Sequence, residues 1–153
     1  MKEIVQFRTH IENFLQTYVH KQNDDVLFWS ADVRKRLLEY SLRGKMIRGS
    51  LVFVGAEMAG ADHKQFLSQL SAAAAAMELI QSFLLVHDDI MDDDDQRRGM
   101  PAIHAQYRDL AVAKKWHDQK HTAVSLGICA GDIAAYMAAE ILSELDLPLD
   151  TYT

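Results

Sequence analysis

The sequence of 153 residues is poor in the residues that interrupt helices and in those that build disulfide frameworks. It holds two prolines, seven glycines and a single cysteine, Cys129. One cysteine excludes an internal disulfide and fits a reducing compartment. The sparse Pro and Gly, and the lack of an Asn-Gly or Asp-Gly hairpin signal, favour long helices over strands. The sequence therefore predicts an all-α fold.

The chain also lacks a basic face, a secretory leader and a long apolar run. Its net charge is −6, whereas a nucleic-acid binder needs clustered basic residues. The first fifteen residues carry four charges, which interrupt the apolar stretch that a signal peptide requires. No run approaches the roughly 18 apolar residues of a membrane span. These absences predict a cytoplasmic protein with no membrane span and no nucleic-acid partner.

Apolar residues recur at helical spacing along most of the chain, of which 49% is hydrophobic. We expect a first helix near residues 3–21 and a second that is capped by Ser30 or Asp32 and broken by Gly44. A third helix should run from about Lys45 to Ala59, and a long fourth should be capped by Asp62 and end near Asp92. A fifth should lie near 102–116 with Pro101 in its first turn, and a last should run from about Thr122 to Leu145. No repeat or linker divides the chain, so we expect one domain.

The acidity of the chain is concentrated in one place. Residues 88–98 hold six Asp and two Arg, which leaves a balance of only −2 for the rest. Asp88 and Asp92 lie one helical turn apart, where like charges repel each other and the helix C-terminus is itself partly negative. Carboxylate oxygens are the ligands that magnesium prefers. We therefore predict that Asp88, Asp89 and Asp92 bind Mg2+.

A solvated acidic turn is the alternative interpretation of this run. It stays open for Asp93, Asp94 and Asp95, whose neighbours are polar. It is disfavoured for the three predicted metal ligands, because the residues around them are apolar and a charged cluster in such a setting usually lines a cleft. Those apolar neighbours are Leu84, Leu85, Val86, Ile90 and Met91.

Further polar residues occur in apolar or helix-start positions. Gln81 precedes Asp88 by two helical turns, and Arg97 and Arg98 follow the acidic run. Lys45 and Arg48 open the predicted third helix, where basic side chains oppose the helix dipole. They suit an anion that also meets the free backbone N–H groups, although an ordinary solvated helix end is the alternative.

Three elements of the sequence resemble the polyprenyl (trans-isoprenyl) diphosphate synthases of the geranylgeranyl and farnesyl type. Residues 87–101 resemble the family's first aspartate-rich motif, which reads Asp-Asp-x-x-Asp and continues with Arg-Arg-Gly and a Pro. Residues 44–48 resemble its Gly-Lys-x-x-Arg element, and Gln81 stands where the family has His or Gln. The resemblance covers most of the chain and implies an isoprenoid-synthase helical bundle.

The resemblance also implies a reaction and a set of roles. Mg2+ held by Asp88 and Asp92, with Asp89 assisting, would bind an allylic diphosphate, which Arg97 would also contact. Isopentenyl diphosphate would be bound by four residues: Lys45, Arg48, Gln81 and Arg98. The implied reaction is a Mg-dependent ionisation, condensation and elimination that makes a short-chain polyprenyl diphosphate.

Phe83 and Leu84 stand five and four residues before the first aspartate, where the family sets product length. Bulky side chains there would close the apolar tunnel early, and no two-residue insertion separates Asp89 from Asp92. We therefore expect a product of geranylgeranyl or farnesyl length. The alternative is that Phe83 is simply a core residue.

The chain departs from the family in length. Members are roughly twice as long and carry a second aspartate-rich motif, which this sequence lacks; Gly131-Asp132 resembles a pair that precedes it. Gly49 stands where the family has Pro. The resemblance implies a partial domain over residues 1–153, the N-terminal half, that needs its complementary half or a second copy in a homodimer. Alone, such a chain is expected to be weakly active or inactive.

Two other functions remain open from the sequence. The chain could be a non-catalytic or regulatory subunit of a heteromeric synthase, although a scaffold has no need for the basic and acidic residues it retains. It could also be part of a terpene cyclase, which shares Asp-Asp-x-x-Asp. The Arg-Arg-Gly sequel and the Gly-Lys-x-x-Arg element, which suit a second diphosphate, disfavour the cyclase.

Overall fold

The computed structural model describes residues 2–21 and 28–146, with six helices and one short hairpin. The elements are α1 Lys2–Lys21, α2 Phe28–Leu42, α3 Ile47–Met58, α4 Leu67–Met91, β1 Gln96–Arg97, β2 Met100–Pro101, α5 Ile103–Ala113 and α6 Gln119–Ser143. The predicted all-α fold is confirmed.

The two longest helices, α4 and α6, form the centre of the bundle. Each presents fully buried alanines, which include Ala74 to Ala76 on α4 and Ala130 and Ala134, one turn apart, on α6. Small side chains allow two helices to approach closely. Helix α5 covers one side of α6, and α1 and α3 cover α4. The packing of α4 against α6 therefore positions the residues at the C-terminal end of α4.

Helix α1 forms as its apolar spacing predicts. Phe7, Ile11, Leu15 and Val19 follow one another at helical intervals and are all buried. Phe7 stacks on Phe53 of α3, with ring centroids 4.4 Å apart. This contact attaches α1 to the helix that begins within the Gly-Lys-x-x-Arg element.

Two predicted helix caps are wrong. Ser30 and Asp32 lie inside α2, where Asp32 accepts a hydrogen bond from Arg36 at 2.8 Å. Asp62 lies five residues before the start of α4 and caps a separate turn, in which its carboxylate accepts the Lys64 N–H at 3.0 Å. Asp32 instead pairs with Arg36 one helical turn later, and a short turn attracts a residue such as Asp62 as well as a helix start does.

The ends of the other helices differ by a few residues from those expected. Helix α3 begins at Ile47 rather than Lys45, since Met46 adopts a left-handed conformation with φ 51°. Helix α5 ends at Ala113, and α6 runs from Gln119 to Ser143 after an Asp118 cap. Lys45 therefore lies in the connection before α3, and Arg48 lies in its first turn.

The hairpin of β1 and β2 was not predicted. Arg97 pairs with Met100, and the two residues between them, Arg98 and Gly99, have φ of 56° and 75°. Two left-handed residues are the signature of a type I′ turn, which usually begins with Asn, Asp or Gly. Pro101, expected in the first turn of a helix, ends this hairpin in β2.

Helices α4 and α6 are long and apolar enough, by length and composition, to cross a membrane. Half of the most apolar stretch of α4 is buried inside the bundle, and core helices of soluble proteins meet the same criterion. The expectation that the chain has no membrane span therefore stays a prediction.

Two glycines in α3 should respond in opposite ways to replacement by alanine. A Cβ at Gly49 would lie 2.8 Å from the Ala74 carbonyl oxygen and 2.9 Å from Ile11 Cδ1, whereas a Cβ at Gly55 would meet nothing within 4 Å. We expect Gly49→Ala to lower the free energy of unfolding by about 1–3 kcal/mol through overpacking. Gly55→Ala should raise it by up to about 1 kcal/mol through helix propensity. Urea unfolding of both variants tests this, and equal effects would contradict the close α3–α4 packing.

The segment after α4 should contribute less to the stability of the fold in acid. Asp95 accepts two hydrogen bonds from Arg108 at 2.7 Å, and its carbonyl accepts the Ala102 N–H at 2.9 Å. The Arg108 guanidinium lowers the pKa of Asp95 in the folded state. The pair therefore stabilises the fold above the unfolded pKa of about 3.9, and this contribution is lost as pH falls through the lower folded pKa. Thermal unfolding from pH 6 to 2 should show a smaller acid loss in Asp95→Asn and in Arg108→Gln than in wild type; identical curves would contradict the pairing.

Candidate functional site

The last turn of α4 presents two of the predicted metal ligands to solvent. The Asp88 side chain is about half exposed, and Asp92 is exposed at the C-cap of the helix, where its N–H donates to the Asp88 carbonyl at 2.9 Å. Because they are one turn apart, both carboxylates leave the helix on nearly the same side. They form the exposed part of what we call the acidic end, defined as Asp88, Asp89 and Asp92.

The third residue of the acidic end points the other way. Asp89 has no exposed surface. Its Oδ2 accepts a hydrogen bond from the Tyr40 hydroxyl of α2 at 2.8 Å, and its Oδ1 accepts one from Arg97 Nε at 2.6 Å. Arg97 Nη2 also contacts the same Oδ1. Both carboxylate oxygens of Asp89 are thus engaged by protein donors in the interior.

Arg97 joins the buried and the exposed aspartate. Its Nη2 lies 3.1 Å from Asp88 Oδ2, so one guanidinium contacts Asp88 and Asp89 together. The hydrogen bond to Asp89 is the main reason that the pKa of Arg97 is raised further in the folded state. Its side chain is still about one quarter exposed, and it therefore brings a fixed positive charge to the surface beside the acidic end.

The acidic end fits a hard divalent cation in part. Asp88 and Asp92 offer exposed oxygen ligands at a spacing that magnesium accepts, with water and substrate oxygens for its other positions. Asp89, as oriented, offers none. Within residues 2–21 and 28–146, no three His, Cys, Asp or Glu side chains form a ready metal cluster. For a bound magnesium ion, the described residues would supply two ligands, a number typical of sites completed by phosphate.

A second polar feature lies beside the first turn of α3. A cavity of about 450 Å3 opens there, and we call it the basic cavity. It brings together all four residues predicted to bind isopentenyl diphosphate. Its lining consists of Arg43, Lys45, Met46, Ile47, Arg48, Glu78, Gln81 and Arg98. Four cations around one opening make it suited to an anion with several oxygens.

Sequence reasoning missed two charged residues of the basic cavity. Glu78 is 6% exposed, and its carboxylate accepts the Gly49 N–H at 2.8 Å, which satisfies a free donor in the first turn of α3. Arg43 donates to the Pro101 carbonyl at 3.0 Å and so connects the end of α2 to the hairpin. A lone Glu among the apolar residues of α4, and an Arg directly before Gly44, were the available signals.

The hairpin separates the two neighbouring arginines of the Arg-Arg-Gly sequence. Arg97 turns to the acidic end, whereas Arg98 reaches the basic cavity and packs on Gly44. A Cβ at Gly44 would lie 2.7 Å from Arg98 Nη1, so a larger residue there would require the guanidinium to shift. The left-handed conformation at Arg98 is the structural cost of this separation.

One face of α4 connects the two features. Gln81, Leu84 and Asp88 follow each other at intervals of three and four residues, so they lie in one stripe. Gln81 lines the basic cavity, Leu84 is 52% exposed, and Asp88 belongs to the acidic end. Phe83 lies beside this stripe and packs edge-on against His87, with centroids 4.9 Å apart. An exposed apolar residue therefore separates two sites for charged groups.

His87 packs against the pair Gly131-Asp132 of α6. A Cβ at Gly131 would fall 2.6 Å from His87 Nδ1, and His87 Nε2 lies 3.5 Å from the Asp132 carboxylate. The Nδ1 atom also lies 2.9 Å from the Phe83 carbonyl oxygen. The ring thus fills the space between the central helices directly below the acidic end.

This chain is similar in structure and sequence to known isoprenyl diphosphate synthases. The chain is similar to the crystal structure of geranylgeranyl pyrophosphate synthase from Corynebacterium glutamicum complexed with isoprenyl diphosphate and magnesium, at a TM-score of 0.83 and 31% identity over 92% of this chain and 42% of that one. It is 37% identical to the geranylgeranyl diphosphate synthase of Methanosarcina mazei over 67% of this chain and 26% of that protein. It is 36% identical to the short chain isoprenyl diphosphate synthase of Methanocaldococcus jannaschii over 88% of this chain and 33% of that protein.

The chain thus matches between about a quarter and two fifths of the length of these relatives. The family described as Polyprenyl synthetase matches residues 32–152, most of the sequence. The chain belongs to the polyprenyl synthetase family.

Proposed function

We propose that this chain carries the first half of the active site of a trans-prenyltransferase, which condenses isopentenyl diphosphate with an allylic diphosphate. The observation that supports this best is the stripe on α4 that joins two unlike charged sites. Gln81 in the basic cavity and Asp88 at the acidic end lie two helical turns, about 10 Å, apart. This spacing and the apolar Leu84 between them suit two diphosphates whose hydrocarbon parts must meet.

The basic cavity is the proposed site of isopentenyl diphosphate. Lys45, Arg48 and Arg98 would donate charge-assisted hydrogen bonds to its diphosphate, with the Gln81 amide nearby. Binding there needs no metal, because the cavity itself is rich in cations. Fixing this substrate next to the allylic one would convert a bimolecular reaction into a reaction between bound partners.

The acidic end is the proposed site of the allylic diphosphate. Asp88 and Asp92 would hold Mg2+, whose charge stabilises a departing diphosphate. Arg97 would donate to the same diphosphate from its fixed position beside Asp88. The allylic C–O bond would then break and release diphosphate with the bonding electrons. The double bond of isopentenyl diphosphate would attack the allylic carbon, and transfer of a proton to the released diphosphate would yield the elongated product.

Three finer points belong to this proposal. Phe83 and Leu84 would set a product of geranylgeranyl or farnesyl length by limiting space below the acidic end. The protein would be located in the cytoplasm. A second copy of the chain, or its complementary half, would cover the exposed α4 stripe. The chain alone is expected to turn over slowly, because it contributes one charged wall of the site.

Loss of Asp88 should remove metal-dependent binding. We expect wild type to bind a non-ionisable allylic thiolodiphosphate in Mg2+ and not in excess chelator, and Asp88→Ala to weaken this binding by at least about 10-fold, or about 1.4 kcal/mol. Asp94→Asn, which removes a neighbouring exposed carboxylate, is the matched control and should change affinity less than about 2-fold. Isothermal titration calorimetry measures both. Equal losses in the two variants would show that only general acidity matters.

Loss of Lys45 should affect the other substrate and leave the metal requirement unchanged. Lys45→Gln removes a cation of the basic cavity, and we expect about a 10-fold weaker affinity for isopentenyl diphosphate, measured in chelator. Lys35→Gln, an exposed lysine of α2 outside the cavity, is the control and should retain wild-type affinity. If both variants bind equally well, the basic cavity is not the isopentenyl diphosphate site.

A further inference from the structure

The burial of Asp89 limits what this residue can do. It has no exposed surface, and its two oxygens accept hydrogen bonds from residues of two different segments, Tyr40 at 2.8 Å and Arg97 at 2.6 Å. To ligate a metal, the carboxylate would have to leave the interior and abandon both donors. That move would leave the buried Tyr40 hydroxyl without its acceptor, which is unfavourable for a donor in the interior. The observed arrangement therefore favours a role for Asp89 directed inward.

Tyr40 approaches Asp89 from the opposite side to Arg97. Tyr40 is 3% exposed on α2, and a neighbouring hydrogen bond between the Ser41 and Ser82 hydroxyls at 2.7 Å also joins α2 to α4. Burial and the hydrogen bond to Asp89 raise the pKa of the Tyr40 hydroxyl, which donates to the carboxylate. The hydroxyl fixes Oδ2 and so leaves Oδ1 aimed at the guanidinium.

Arg97 is the only one of the three that reaches the surface. Its Nε and Nη2 meet Asp89, and Nη2 also lies 3.1 Å from Asp88 Oδ2. A flexible side chain held at two nitrogens by a rigid, buried carboxylate keeps a single orientation. The exposed part of the guanidinium is thus presented beside Asp88 before any ligand arrives.

We propose that Tyr40 and Asp89 are positioning residues that hold Arg97 against the diphosphate site, and that Asp89 serves the site through Arg97 and not as a magnesium ligand. This inference rests on the proposed function for the identity of the ligand. The hydrogen-bonded series Tyr40, Asp89 and Arg97 would fix the guanidinium in advance, so that binding does not have to order it.

The first test needs no ligand. In 1H–15N spectra of the arginine side chains, the Arg97 Nε–H should exchange slowly with water in wild type. Exchange should be at least about 10-fold faster in Asp89→Asn, intermediate in Tyr40→Phe and unchanged in Asp88→Asn, because the bond at Nε goes to Asp89. Fast exchange in wild type, or loss of protection in Asp88→Asn alone, would overturn the proposal even if no diphosphate binds.

The second test separates positioning from stability and from metal ligation. With inorganic pyrophosphate and Mg2+ as the probe, Tyr40→Phe should weaken affinity about 5-fold in wild type but have no effect in an Arg97→Gln background. Tyr107→Phe, which removes another buried hydroxyl, should not change affinity in either background. Equal effects of Tyr40→Phe in both backgrounds would indicate a merely structural role.

The Mg2+ concentration at half-maximal pyrophosphate binding completes the test. Asp88→Asn should raise it, whereas Asp89→Asn should lower the affinity for pyrophosphate and leave this midpoint within about 2-fold of wild type. A raised midpoint in Asp89→Asn would make it a metal ligand and overturn the proposal. Wild type that binds no pyrophosphate at any Mg2+ concentration would instead contradict the proposed function, and the exchange measurement would still decide the role of Tyr40 and Asp89.

Discussion

The ion pair between the buried Asp89 carboxylate and the partly exposed Arg97 guanidinium is the interaction on which the acidic end depends. A fully buried carboxylate is costly, and removal of Arg97 would leave the Asp89 charge with the Tyr40 hydroxyl alone among its two side-chain donors. The pair therefore determines where the segment after α4 can lie. Because Arg97 belongs to β1, its attachment to Asp89 also brings the hairpin against α4.

The position of the hairpin has a direct consequence for the second charged site. Once Arg97 is fixed, the tight turn at Arg98 and Gly99 directs the next side chain away from the aspartates and into the basic cavity. Gly44 leaves space for that guanidinium, and Arg43 attaches the hairpin to the end of α2. One short ribbon thus gives each proposed diphosphate site an arginine. Two sites that are distant in sequence become neighbours through these contacts.

The sequence predicted the helices well where a continuous apolar pattern determined them. The face of α1, from Phe7 to Val19, and the end of α4 near Asp92 follow the expected spacing. Caps were predicted poorly, because Asp62 and Ser30 could stabilise more than one local conformation. The hairpin escaped prediction since its turn begins with Arg98, a residue that rarely adopts a left-handed conformation and does so here through tertiary contacts.

The sequence predicted which residues form the acidic end but not the direction in which each side chain points. The spacing of Asp88, Asp89 and Asp92 identifies an acidic helix end, yet periodicity of 3.6 residues also places Asp89 about 100° away from Asp88. Whether that direction meets water or protein depends on α2, which contributes Tyr40 from 49 residues earlier in the chain. Glu78 was equally hard to predict, because its partner is a backbone N–H of another helix.

Simultaneous occupation of the two sites is the most direct test of this account. Backbone and arginine side-chain spectra of the labelled chain should be followed while isopentenyl diphosphate is added in chelator, and then Mg2+ with inorganic pyrophosphate in excess over the chelator. In the first step the account predicts chemical-shift changes around Lys45, Arg48 and Gln81. In the second step it predicts separate chemical-shift changes around Asp88, Asp92 and Arg97, while the changes of the first step persist. Displacement of the first ligand by the second, or a single set of residues that responds to both, would contradict it.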